Sequence, residues 1–416
     1  MPRRDGKHGD RLPRAVALIV SAALTFAASA ATQQQTPPPP PPPPTTPPVT
    51  TPTPPQATPP APPPGTTFER VWEQLFDATG SLYLTIAGDL AVVSGTDTPV
   101  VARRAADGSD AWTAALVADA EPIAGDDVIV MLSGGRLHAL EFTGQVRWSA
   151  AAGASFSGEA IGGIRLGTGA APMLPLPTEA RRTLSGAPGT ALVASGRDLQ
   201  AVRVADGAQL WRTTLPAPVL NKVVVDGGRA FAGLGDTTLV ALDVTTGAVV
   251  WRRSLSAVPG PLAAAGGHVY FGGSDHACHA YRQSNGEQAW WYLKRTPIAG
   301  RPAADAEHAY FVLLTNIVLA LDRDTGNERW DERVSARLAH GLEAAGDALL
   351  LALGDGTALM LRTGDGHITT IRAAPKPGER GGGLQFEAMG ASADGTRVYT
   401  LTEMALKYTL SAYVKK

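Results

Sequence analysis

The side chains with the greatest capacity for chemistry lie within four positions of one another: His276, Cys278 and His279. Imidazole and thiolate together suit zinc or copper. On a strand, however, His276 and Cys278 share one face and His279 takes the other. Three ligands so placed cannot converge on one ion, and no metal residue is assigned. His138, His268, His308, His340 and His367 are scattered and read as exposed or singly packed. Cys278 is the sole cysteine, so no internal disulfide is available. There is no serine-nucleophile motif, no phosphate loop and no Cys-x-x-Cys-His haem site. No catalytic and no cofactor-binding residue is assigned either.

The elements that would carry any site are marked by tryptophan. Trp72, Trp112, Trp148, Trp211, Trp251, Trp290 and Trp330 are separated by 40, 36, 63, 40, 39 and 40 residues. A period of about 40 residues indicates a repeat architecture. Six of the seven follow a glycine by four residues: Gly108, Gly144, Gly207, Gly247, Gly286 and Gly326. Ahead of each glycine stands an alanine: Ala102, Ala139, Ala201, Ala241, Ala280 and Ala320.

Each part has a mechanism. Leu239–Asp243 reads as a half-buried strand. Asp-Gly, Thr-Gly and Asn-Gly supply the positive φ of a tight hairpin. The Trp opens the return strand, and the small Ala leaves room for an indole against the backbone. With two further strand-like runs upstream, such as 261–265 and 268–272, each repeat has four antiparallel strands, which is a propeller blade. A helical repeat is excluded by the frequent Gly and β-branched residues.

A weaker copy spans Ala358 to Gly364, with Ile368 at the Trp position. The segment from Glu387 to Lys416 has strands but no closing Trp strand, whereas 68–76 is a closing strand with nothing before it. The two chain ends therefore complete one blade and protect its edges. The fold expected is an all-β eight-bladed β-propeller, with seven blades as the alternative.

The Ala-x(5)-Gly-x(3)-Trp pattern resembles the tryptophan-docking motif of pyrroloquinoline-quinone (PQQ) propeller repeats, over about 68–368. The resemblance implies that these Trp, Ala and Gly residues lock neighbouring blades. It covers quinoprotein alcohol dehydrogenases and a non-catalytic, BamB-like branch. The dehydrogenases hold PQQ over Ca²⁺ with carboxylate and amide ligands, a catalytic Asp and usually a pair of adjacent cysteines. This chain has no such cysteine pair and no assignable ligand set, so the resemblance favours the non-catalytic branch and no cofactor. It departs from BamB-type lipoproteins in lacking an N-terminal lipidated Cys.

Residues 1–31 have the order of an export signal: Arg3, Arg4, Lys7, Arg11 and Arg14, then an apolar run to Ala28, then Ala28-Ser29-Ala30. The run, about 14 residues, is short for a membrane span of roughly 20. A cleaved signal and an uncleaved anchor are both open. Residues 32–66 form a Pro/Thr-rich linker, stiff and extended, that cannot bury a core. Residues 67–416 are the propeller.

The net charge of −2, with no basic cluster, gives no footing for nucleic acid. The function expected is an extracytoplasmic, periplasmic scaffold for protein–protein interaction in the cell envelope, including outer-membrane protein assembly. The chain is expected to be a monomer that contacts a membrane only if the anchor is kept. The alternatives are a PQQ-dependent alcohol or sugar dehydrogenase and a membrane-tethered envelope sensor. Loops carry function on rigid scaffolds, which singles out the insertion at 153–189, with Arg181-Arg182, and the 376–383 loop.

Overall fold

A computed structural model describes residues 67–416 except 153–181, 188, 374–384, 393–394 and 405–406. The export signal, the Pro/Thr linker, most of the 153–189 insertion and the 376–383 loop lie outside the described residues. Of that insertion, Arg182–Ala187 is an innermost blade strand rather than inserted loop.

The described chain folds into eight four-stranded antiparallel sheets. Blades 1 to 7 run in chain order over 82–114, 123–151, 182–214, 224–254, 259–293, 298–333 and 338–372. Blade 8 takes its three inner strands from the C-terminus, Gln385–Ala391, Arg397–Met404 and Lys407–Lys415. Its outermost strand is Phe68–Asp77, paired antiparallel with Lys407–Lys415. The ends meet where the Lys416 amide donates to the Thr67 carbonyl at 2.8 Å. Innermost strands neighbour one another in cyclic order, with blade 8 returning to blade 1. This settles eight blades over seven.

There is no single core. Eight apolar clusters occupy the eight junctions between blades. Because strand side chains alternate, Leu239 and Ala241 serve the junction with blade 5, while Val240 and Leu242 serve that with blade 3. The second and third strands are consequently buried on both faces, as at Val128–Ser133. Leu239–Asp243, expected to be half-buried, is buried from Leu239 to Leu242. A blade lies between two neighbours, so its middle strands have no solvent face.

Candidate functional site

The hairpin from third to fourth strand carries the repeat motif. Gly108, Gly144, Gly207, Gly247, Gly286 and Gly326 adopt φ between +71° and +86°. The turn therefore needs glycine. It also needs the missing Cβ: an added carbon at each would come within 3.0 Å of the indole from the preceding blade. Trp72 lies on Gly108, Trp112 on Gly144, Trp148 on Gly207, and so on round the ring. Each of the seven indole Nε1 groups donates to a backbone carbonyl of the next blade, at 2.7–3.1 Å.

Ala102, Ala139, Ala201, Ala241, Ala280 and Ala320 are fully buried. Each is the register partner of the Trp in its own blade. The Ala therefore lies beside its own blade's indole strand, and the incoming indole meets the Gly.

The weak seventh copy, in blade 7, is placed differently from its sequence alignment. Gly366, with φ +73°, receives Trp330. Gly364 has open space around it. Four residues after Gly366 stands Thr370, not Ile368, and Ile368 packs into the cluster between blades 6 and 7.

The reactive side chains are occupied within the blades. His279 is buried and stacks on Phe271, with centroids 5.0 Å apart. Its Nε2 lies 3.0 Å from Asp275 Oδ1, and Gln288 Nε2 donates to its Nδ1 at 3.2 Å. Cys278 faces the opposite junction, sealed beside Tyr270 and Trp290, and burial pushes its thiol up. His276 is exposed in the preceding turn at φ +64°, outside the strand expected to carry it. Tyr310 Oη donates to Asp305 at 2.6 Å and lies 3.2 Å from His308 Nδ1.

A second group of ionisable residues has no sequence motif. Glu121 and Lys222 sit in the connections entering the innermost strands of blades 2 and 4, and Lys222 Nζ lies 2.9 Å from the Glu121 carboxylate. This pair bridges two blades that are not neighbours. Arg301 lies on the innermost strand of blade 6, Ile298–Ala304. His340 and Glu343 lie on that of blade 7, Leu338–Ala345.

Burial holds the half-buried His340 imidazole below its ordinary value, with Glu121 opposing and Arg301 adding to the effect. Burial pushes the Glu343 carboxyl up, while Arg301 and Lys222 pull it down. Five side chains from four blades thus share one electrostatic environment at the centre of the ring.

Bulges help to place Arg301, His340 and Glu343, whereas Glu121 and Lys222 come from the connections. The innermost strands of blades 5 to 8 all break register against their partners. Arg301 falls within the break between Ala299 and Ala303, flanked by Gly300 at φ +67° and by Pro302. A bulge re-aims a side chain out of the ladder. Ring closure, not spacing along the chain, assembles this group, so only the glycine and proline beside Arg301 could have hinted at it. The arrangement offers charged and hydrogen-bonding groups for a polar ligand or chain segment. Among the described residues no three His, Cys, Asp or Glu side chains gather as a metal site would require.

Seven indole-on-glycine contacts around eight blades define a tryptophan-docked propeller of the PQQ-repeat class. Within that class the chain belongs to the family described as outer membrane protein assembly factor BamB, whose profile matches residues 66–174, 176–259 and 235–402. The crystal structure of BamB from Moraxella catarrhalis is similar, with 17% identity and a TM-score of 0.59, covering 84% of this chain and 100% of that one. The computationally designed Ika8 protein is similar at 12% identity and a TM-score of 0.61, covering 81% of this chain and 97% of that one. At such identities the likeness is one of fold. No curated protein matches the chain.

Proposed function

We propose that this chain is a non-catalytic scaffold of the cell envelope that holds partner proteins on its loop faces during outer-membrane protein assembly. Membership of the BamB family carries the reading. The internal engagement of His279, His308 and Cys278 supports it, because the groups best able to do chemistry are spent on packing and hydrogen bonding. The order of residues 1–31 supports export. The Pro/Thr segment would then act as a spacer between the envelope and the ring.

The test is crosslinking in intact envelopes followed by purification of the full chain. Recovery of subunits of the outer-membrane assembly machinery is the expected result. Tight binding of added PQQ with Ca²⁺, accompanied by dye-linked alcohol oxidation, would overturn the reading in favour of a quinoprotein. Release in soluble form on fractionation would exclude the tethered sensor.

A further inference from the structure

The central channel holds two opposite charges that do not meet. Arg301 is exposed and makes no ion pair or side-chain hydrogen bond among the described residues. Glu343, half-buried on the innermost strand of blade 7, makes none either. Yet the Arg301 charge acts on both Glu343 and His340.

The innermost strands of blades 6 and 7 are neighbours in the ring. Their charged groups nevertheless stay apart, and the backbone is the reason. Arg301 is fixed in the break between Ala299 and Ala303, beside Gly300 and Pro302. His340 and Glu343 each border a break in the register of Leu338–Ala345.

The rest of the group has its charge cancelled. Lys222 Nζ lies 2.9 Å from the Glu121 carboxylate. Glu387, in the corresponding break of blade 8, already has an interaction of its own. Burial holds His340 towards the neutral imidazole. What stays open is one guanidinium, one carboxyl and one imidazole.

A ligand of net charge would attract one of Arg301 and Glu343 and repel the other. A ligand with both an ammonium and a carboxylate satisfies the two together. A guanidinium takes a carboxylate through two parallel N–H donors. An ammonium beside Glu343 favours the ionised carboxylate, and so restores the charge that burial opposes. The neutral imidazole adds one donor and one acceptor.

We infer that the channel wall formed by blades 6 and 7 binds a small zwitterion of the amino-acid class, its carboxylate on Arg301 and its ammonium on Glu343. The ring thereby has a ligand site separate from the loop faces proposed to hold partner proteins.

Isothermal titration calorimetry of the full chain in mildly alkaline buffer is the test. Glycine, β-alanine and γ-aminobutyrate are zwitterions of increasing span, and acetate and methylammonium are their separate halves. At least one zwitterion should bind about tenfold or more tightly than either half. Arg301→Gln and Glu343→Gln should each weaken that zwitterion by about tenfold or more. Neither substitution should lower the melting temperature, because Arg301 is exposed and Glu343→Gln removes a charge that burial disfavours. Loss of binding in these variants is then not loss of the fold. Failure of all three zwitterions to bind would overturn the proposal. So would acetate binding as tightly as the zwitterions with no effect of Glu343→Gln, which would make this a plain anion site. Binding that survives both substitutions would place the ligand elsewhere on the ring and overturn it equally. The scaffold reading stands or falls separately, because it rests on crosslinking to other proteins.

Discussion

The Trp330 indole lies flat against Gly366 of the next blade: Nε1 donates to the Thr363 carbonyl at 2.9 Å, and a Cβ on Gly366 would sit 2.8 Å from Cε3. Gly364, two residues earlier, has nothing within 4 Å. The two glycines therefore make a matched pair. Gly366→Ala should destabilise by about 1–3 kcal/mol, through overpacking against the ring and a φ of +73° that alanine resists. Gly364→Ala should stay within about 0.5 kcal/mol. Urea unfolding of both variants checks this, and equal effects would remove the docking role from Gly366.

Truncating an indole should cost more. Trp251 is buried among Phe231, Leu262 and Phe271, and its Nε1 donates to the Gln283 carbonyl at 2.9 Å. Trp251→Ala should lose about 3–5 kcal/mol as a large-to-small core change. Trp251→Phe keeps part of the apolar contact and loses the hydrogen bond, so it should fall between. An unchanged denaturation midpoint for Trp251→Ala would show that the blades hold without the indole.

The ring has seven indole contacts for eight junctions, and its closure explains the shortfall. The receiving glycine sits in the hairpin joining third and fourth strands. In blade 8 those strands are Lys407–Lys415 and Phe68–Asp77, which are the two chain ends. No hairpin exists there to receive an indole from blade 7. Thr369 takes the Trp position, paired with Met360 on the face towards blade 8, while Ile371, Phe386 and Tyr413 fill the junction instead. Thr369→Trp should therefore bring no gain in melting temperature. A rise would mean that blade 8 offers a docking surface after all.

The architecture was legible because its determinants are local. Asp243 shows why: its carboxylate accepts from the amides of Thr245 and Thr246, fixing the hairpin that presents Gly247. A motif of five residues thus encodes a turn, and the turn recurs at a readable spacing. The last copy was misread at Gly364 because Thr363-Gly364 resembles the usual Thr-Gly while the working glycine follows Asp365. The channel group was not legible at all. Glu121, Lys222, Arg301, His340 and Glu343 come together only after the ring closes, and the bulges around Arg301 have no fixed sequence form.

Glu343 gives the channel group a pH signature. Its folded pKa is raised above the ordinary 4.5, chiefly by burial. Below that ordinary value both states are protonated, and its contribution is fully present. As pH rises through the raised folded value, ionisation favours the unfolded chain and stability is lost. Glu343→Gln removes this loss. The variant and the wild type should melt together in acid, and the variant should melt higher at neutral and alkaline pH. His340 has the opposite sign: its folded pKa is depressed below 6.5, so its contribution is lost as pH falls. Parallel melting curves at every pH would show that Glu343 is solvated.

Cys278 reports on the integrity of the ring. Its side chain is fully buried between blades 5 and 6 against Tyr270, Trp290 and Phe311. Burial raises the thiol pKa, so reactive thiolate is scarce as well as inaccessible. A disulfide reagent should label the native chain only through opening of that junction. The labelling rate should climb with urea ahead of, or together with, the loss of β-sheet signal. Trp290→Ala should accelerate it, because that indole both covers the thiol and docks on Gly326. Gly366→Ala should accelerate it only as far as it lowers global stability, since Gly366 belongs to blade 7. Comparing the two variants at matched stability separates local opening from global unfolding. Rapid labelling of the wild type in native buffer would contradict the sealed junction.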